Sequence, residues 1–387
     1  MTDRLAKLIL FATVVVLLTM PVGHAASSDG SVPVFPYEHG WLGADAAFSI
    51  PLGDGKSLWL LGDTFVGAPG ARTRTPRTDM PRNSIAISEC AGHRCTVKYF
   101  WNRMYQPGAR AFFDISGPDW FWPLDGFIDH GSLYVMLEEM HAVGTGAFGF
   151  GFSGVTLATI GNYLDSPERW KIRYQKVVSG DAAIPGVSIV AGRPGFNPYP
   201  KEPKGDGWVY FFTVRKLAQG KSVMALTRLA RADLDHAGQA AGKWQYLSAS
   251  QGWLPWTTPG TLPANAKTVL NDGYTEFTVR YHPERRQWLA VAPARALTDN
   301  RAVYSLAPSL DGPWSQPQTL LEYPEMNETN PDYTAKVFCY AAKEHPEFEM
   351  PGSIVFTYAC NSLVEDEIFR NMNLYHPVVV VQHAPAQ

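Results

Sequence analysis

The chain has 387 residues, a formal net charge of −3, 34 Gly, 30 Pro and an aromatic share of 13%. Nearly balanced charge, with basic residues scattered, gives no electrostatic reason for a nucleic-acid or anionic-membrane partner. Abundant turn formers and aromatics, without a long stretch of clean helical period, point to many short strands in one large all-β body.

Residues 1–25 read as a secretory signal. Arg4 and Lys7 supply the positive start, Leu8 to Met20 the apolar stretch, and Gly23-His24-Ala25 a small-residue cleavage site. The apolar stretch is short for a membrane span, with an uncleaved anchor as the alternative reading, and nothing later is long and apolar enough to be one. The expectation is a secreted or periplasmic protein, free of the membrane once the signal is cleaved, with residues 26–387 as a single domain.

Trp41 to Thr64, WLGADAAFSIPLGDGKSLWLLGDT, is two β-type runs joined by Gly53-Asp54-Gly55-Lys56, which is hairpin chemistry. Asp45 opens the first run and Asp63 closes the second, so a hairpin brings both carboxylates to one edge. For a lone acid beside Gly, a turn cap explains as much. The layout recurs, however. First runs begin at 45, 125, 187, 275 and 335, and second runs cover 57–64, 132–140, 207–216, 287–295 and 353–361. Outer runs complete the units, and Trp begins three of them, in SPERWKI, AGKWQYL and DGPWSQP. This repeat predicts a five-bladed β-propeller of four-stranded antiparallel blades. Either YHPVVVVQ or the run near Val32 to Pro36 closes the ring, completing a blade begun by the other end of the chain. A β-sandwich with an appended β domain is the alternative, and it leaves the repeated Trp without a reason. Ring closure shields strand edges, so a monomer is expected.

The four cysteines suit an oxidising compartment. Cys90 and Cys95 flank a turn between strand-like runs, and Cys339 and Cys360 lie on paired runs, so two disulfides are expected. The spacings do not resemble a zinc site, and neither a metal nor another cofactor is predicted.

In such a ring the starts of first strands and the ends of second strands share one rim. Asp45, Asp63, Asp125, Glu138, Glu139, Arg215, Glu276, Lys336 and Asn361 fall there. Cleaving a glycosidic bond needs one carboxylic acid to protonate the leaving oxygen and one carboxylate as base or nucleophile. Asp45, as base or nucleophile, and Glu276, as general acid, are the candidate pair. Tyr274 and Phe277 flank Glu276 and would raise its pKa by desolvation. Asp125, beside Trp122 and Pro123, would position the sugar. Trp41, Trp122 and Tyr274 offer flat rings to a sugar face, with blade packing as the alternative for each. Arg82 and Asn83 either bond sugar hydroxyls or pair with Asp63. There is no GxSxG elbow, HExxH pair or phosphate loop.

The segments GADAAFSIPLGDGKSLWLLGDT, FWPLDGFIDHGSLYVMLEE, NDGYTEFTVRY and YAAKEHPEF…IVFTYACNS together resemble domain-of-unknown-function family 4185, secreted bacterial proteins that include endo-D-arabinanases. More distantly, the layout is similar to five-bladed propeller glycosidases such as arabinanases and levansucrases. The resemblance implies that Asp45 and a second rim acid (Glu276, Asp125 or Asp63) form the catalytic pair, acting on a furanose-containing polysaccharide such as D-arabinan. Blade three departs from the pattern, because its first run carries Arg193 instead of an acid, which suggests a contact to a sugar hydroxyl or an anionic group. A non-catalytic carbohydrate-binding propeller of the cell surface is the alternative function.

Overall fold

Short apolar runs separated by Gly-rich turns pair with their sequence neighbours, and the result in the computed structural model is five antiparallel sheets. The structure describes residues 32–383 except 93, 104–107, 147, 240–241, 259 and 295–298, and the expected signal segment lies outside them. Blade one is β1 (Trp41–Gly53), β2 (Lys56–Val66), β3 (Ser84–Ala91) and β4 (Arg94–Phe100). Blade two is β5 (Trp120–Asp129), β6 (Ser132–Ala142), β7 (Phe150–Ile160) and β8 (Ile172–Ser179). Blade three is β9 (Ala183–Ala191), β10 (Trp208–Lys216), β11 (Ser222–Ala230), β12 (Gln245–Leu247) and β13 (Trp253–Pro255). Blade four is β14 (Thr278–His282), β15 (Gln287–Pro293), β16 (Arg301–Ala307) and β17 (Gln318–Glu322). Blade five is β18 (Val337–Glu344), β19 (Ser353–Ser362) and β20 (Pro377–His383).

The first strand of each blade meets the first strands of its neighbours, β1 with β5 and β18, β9 with β5 and β14, and β14 with β18. This circuit is a five-bladed β-propeller. Strand counts depart from the expected four in two blades: blade three has five strands and blade five has three. The extra strand in blade three is β13, which pairs with β12, Gln245 opposite Pro255.

The ring also closes differently from expectation. β20 pairs with β19 of its own segment, and residues 32–36 form no strand, so no blade is shared between the ends of the described chain. Side chains join blades one and five instead. Ser49 Oγ lies 2.7 Å from His345 Nδ1, and His345 Nε2 lies 2.8 Å from Thr357 Oγ1. Trp59 stacks on Phe348 with ring centroids 5.6 Å apart. Arg74, one of three arginines in a polar loop, is buried. It donates to the carbonyls of Leu42 at 2.6 Å, Ile368 at 2.9 Å and Leu374 at 2.7 Å. A guanidinium has five donors in a fixed fork, which suits it to clasping several carbonyls at a seam.

Between blades the core is aromatic. Trp59, Trp244, Trp256, Phe211, Phe212 and Phe277 are fully buried. Cys90 is bonded to Cys95 across the β3–β4 pair, and Cys339 to Cys360 across β18–β19. Among the described residues no helix is long and apolar enough to cross a membrane.

Candidate active site

Four of the five first strands are irregular where they line the funnel, β9 among them with a shift between Pro185 and Ser188. β1 shifts register between Ala44 and Phe48, with Ala46 and Ala47 at φ of 65° and 67°. β5 shifts between Pro123 and Gly126, and β18 between Tyr340 and Lys343, with Ala341 at φ 60°. Left-handed backbone at a residue carrying a Cβ is costly, and bulges of this kind re-aim side chains beside functional sites. Here they turn Asp45, Tyr340 and Lys343 inward together.

The Asp45 carboxylate accepts the Tyr340 hydroxyl at 2.7 Å and the Tyr375 hydroxyl at 3.3 Å, both on Oδ2. Its other oxygen lies over Gly62, where an added Cβ would come within 2.2 Å of Oδ1. The glycine before Asp63 is therefore the room into which Asp45 folds. Burial, then the charges of Asp63 and Glu276, push the Asp45 pKa up to about 8, against the Tyr340 hydrogen bond and the Lys343 charge. Asp63 accepts Trp122 Nε1 at 2.8 Å on Oδ1 and Arg82 Nη1 at 3.0 Å on Oδ2. Burial raises its pKa too, opposed by Arg82. The Arg82 guanidinium stacks over Trp120, 4.6 Å from the ring centroid.

Glu276, just before β14, faces a cation. Lys343 Nζ donates to Glu276 Oε1 at 3.1 Å, to Ala46 O at 3.0 Å and to Ala341 O at 3.4 Å, and lies 4.4 Å from the centre of the Phe48 ring. The ammonium is wholly buried, while Glu276 keeps 27% of its side chain exposed. Glu276 thus meets an ion pair with Lys343 where flanking Tyr274 and Phe277 were expected to bury it. Tyr274 remains close by, half-buried, its ring 6.1 Å from that of Phe277. Glu138, opposite Trp122 in the β5–β6 register, is buried; its pKa rises to about 7 through burial, with Lys216 lowering it and Glu276 adding to the rise.

Asp45, Asp63, Glu276 and Glu138 therefore share one end of the funnel, with Trp122, Arg82 and Tyr274 beside them. Other expected site residues do not join them. Asp125 is fully buried and paired in two-pronged fashion with Arg280, Nη1 to Oδ2 at 3.1 Å and Nη2 to Oδ1 at 3.2 Å; it also accepts the amides of Gly126 and Ile189, each at 2.8 Å. All its lone pairs serve the scaffold. The reason is register: β5 begins at Trp120, not at Asp125, so this acid lies mid-strand. Arg193 follows the end of β9, which begins at Ala183, and so stands at the opposite end of the funnel, exposed beside Phe196. Asn83 is buried and bonds the backbone of Phe113 and Phe121. Trp41 is buried and stacked on Tyr99 with centroids 4.3 Å apart, so it is core. Glu139 is ion-paired with Lys176 and accepts Thr156, and Arg215 ties down the carbonyls of Pro263 and Ala264.

Tyr340, Tyr375 and Lys343 were not singled out from sequence. Tyr340 and Lys343 are three positions apart, and strict strand alternation puts such residues on opposite faces; the bulge at Ala341 brings them to one. A cleft of about 940 Å³ lies elsewhere, between the outer strands of blades one and two, lined by Lys98, Phe112, Trp170 and Tyr174.

A family model described as Domain of unknown function (DUF5005) matches residues 34–381. The chain belongs to the DUF5005 family. The match is not to family 4185, which the hairpin and β-strand segments resemble. No curated protein matches this DUF5005 chain significantly. Among solved structures, a protein of Bacteroides ovatus provisionally described as a hydrolase is 19% identical, with a TM-score of 0.66 over 88% of this chain and 86% of its own. That likeness supports the propeller fold. A xylan β-1,4-xylosidase of Bacillus halodurans aligns at 12% identity and TM-score 0.47, over 91% of this chain and 54% of its own. An α-L-arabinofuranosidase of Podospora anserina aligns at 10% identity and TM-score 0.44, over 92% and 96%. Neither of these two similarities is high enough to bear on the chemistry.

Proposed function

We propose that this DUF5005 chain is a glycoside hydrolase that cleaves a furanose-containing bacterial polysaccharide, with Asp45 and Glu276 as its acid pair. The carrying observation is that two carboxyl groups from blades one and four meet at one end of the funnel in opposite charge settings. Asp45 is buried beside two acids, a setting that keeps a proton near neutral pH against the pull of the Tyr340 hydrogen bond. Glu276 has a buried ammonium. On this reading Asp45, which keeps a proton, is the acid and Glu276 the base or nucleophile, the reverse of the roles expected from sequence.

In this scheme Asp45 transfers its proton to the glycosidic oxygen as the bond to the anomeric carbon breaks. Glu276 either takes a proton from the attacking water or attacks the anomeric carbon itself, and carboxyl separation decides between inversion and retention. Asp63 orients Trp122 through its indole N–H, and Trp122 and Tyr274 offer faces for sugar rings. Glu138 stands by Glu276 as a further hydroxyl partner. All of these residues come from one chain, so a monomer suffices. The two disulfides favour an oxidising, extracytoplasmic location. D-arabinan as substrate, cleaved internally, rests on the resemblance to family 4185.

A carbohydrate-binding propeller without activity is the second reading, favoured by the Glu276–Lys343 pair, since binding tolerates acids held by cations. Sugar release from D-arabinan, L-arabinan and fructan by the wild type, Asp45→Asn and Glu276→Gln separates the two. Release lost in both variants supports a hydrolase. Binding without release by all three proteins refutes it.

A further inference from the structure

At the far end of the funnel, where the first strands of blades four and five finish, three side chains converge that take no part in the proposed chemistry. They are His282 at the end of β14, Glu344 at the end of β18, and Glu349 in the turn that follows. One ring nitrogen of His282 and one carboxylate oxygen of each acid all lie within 4.8 Å of one another. The Glu344 side chain is wholly buried; its Oε1 lies 2.7 Å from His282 Nε2, and its Oε2 has no hydrogen-bond partner among the described residues. An orphaned carboxylate oxygen in a buried site carries its full desolvation cost.

Besides His282, which pairs with its other oxygen, the nearby cations do not relieve it. Arg280, whose charge reaches Glu344, spends its guanidinium on Asp125, Ser188 and its own chain. Arg285 lies 3.8 Å from Glu284, outside the cluster. Both ring nitrogens of His282 face acids: Nε2 lies 2.7 Å from Glu344 Oε1, and Nδ1 lies 3.1 Å from Glu284 Oε1 and 3.9 Å from Glu349 Oε2. A carboxylate behind a histidine is the usual support for a metal-binding imidazole.

We propose that His282, Glu344 and Glu349 bind one divalent cation, Zn²⁺ or Mn²⁺, which pins the lower ends of blades four and five together. One imidazole and two carboxylates suit these ions, whereas Ca²⁺ normally takes six to eight oxygen ligands. The proposal is independent of the hydrolase assignment, since it concerns the opposite end of the funnel.

The test is calorimetric titration and thermal melting of the full mature chain, stripped with EDTA, against ZnCl₂, MnCl₂ and CaCl₂. Glu349→Gln is the first variant, because Glu349 keeps 11% of its side chain exposed and its loss should be tolerated. Glu284→Gln, at a position 60% exposed, is the second. Zn²⁺ or Mn²⁺ should bind one per chain and raise the Tm by a few degrees. Glu349→Gln should abolish binding, and Glu284→Gln should weaken it by about 10- to 100-fold. Failure of both ions to bind at millimolar concentration, binding of Ca²⁺ alone, or unchanged binding in Glu349→Gln overturns the proposal. Sugar release is unaffected by any of these results.

Discussion

Lys343 is a buried cation that touches Glu276, so removing its charge has a calculable cost. Lys343→Met keeps most of the side-chain length and deletes the ammonium that Glu276, Ala46 O and Ala341 O share. Deleting one partner of a buried ion pair costs about 3–5 kcal/mol. Glu276 is 27% exposed, so its stranded charge keeps some water and the lower end applies, about 3 kcal/mol. Unfolding entropy of about 2.1 cal/mol/K per residue over about 350 residues gives about 0.7 kcal/mol/K, so about 3 kcal/mol lowers the Tm by roughly 4 °C. Differential scanning calorimetry measures this directly. Adding Glu276→Gln removes the stranded charge, and the double variant should melt above Lys343→Met alone. A Lys343→Met protein melting within about 1 °C of wild type, or a double variant showing the sum of the two single losses, refutes the assigned ion pair.

The Asp45 pKa, raised to about 8 from an ordinary 3.8, has a consequence of definite sign. Between those values the folded chain holds a proton that the unfolded chain has released, so stability falls as pH rises through the window. Asp45→Asn never ionises, so its Tm should gain on wild type progressively from pH 4 to pH 8; a constant difference contradicts the buried, protonated Asp45. The disulfides should differ in worth. Cys339–Cys360 closes a separation of 21 residues and Cys90–Cys95 one of 5, so replacing the pairs by Ser should cost about 3 and about 2 kcal/mol by loop entropy. Denaturant melts that rank them in the opposite order contradict this. Trp122→Phe removes the indole N–H held by Asp63 Oδ1. It should raise KM for a polysaccharide several-fold with a smaller change in kcat, and an unchanged KM argues against a sugar-facing role.

What the sequence made legible were the hairpins. The turn at Gly53 to Lys56 and its four counterparts locate every first and second strand to within a few residues, and with them the Asp45–Asp63 edge. Strand starts were the weak point. β5 begins five residues before Asp125, and β9 begins four residues before its expected start at 187 and ends before Arg193. Such offsets move a residue from one end of the funnel to its middle or its far end. Asn83 and Trp41 have the composition of binding residues, yet burial decided their roles, and burial depends on partners far away in sequence: Phe113 and Phe121 for one, Tyr99 for the other. Lys343 and Tyr340 were hidden by the bulge at Ala341, because period-two reasoning places them back to back. Ring closure was misplaced for a related reason. Hydrophobic runs at both chain ends suggest a shared blade, but the seam is made by Arg74, Ser49 and His345, single polar residues with no pattern to announce them.

The role reversal between the two acids can be tested by leaving-group dependence. A general acid matters for a poor leaving group and little for one that departs as a stable anion. Hydrolysis of the polysaccharide and of a nitrophenyl furanoside of the same sugar should be compared for wild type, Asp45→Asn and Glu276→Gln. With Asp45 as acid and Glu276 as base or nucleophile, Asp45→Asn should lose about 10²- to 10⁴-fold on the polymer while nearly keeping its rate on the nitrophenyl substrate, and Glu276→Gln should lose both. Glu276→Gln keeping the nitrophenyl rate while Asp45→Asn loses it would contradict the assignment.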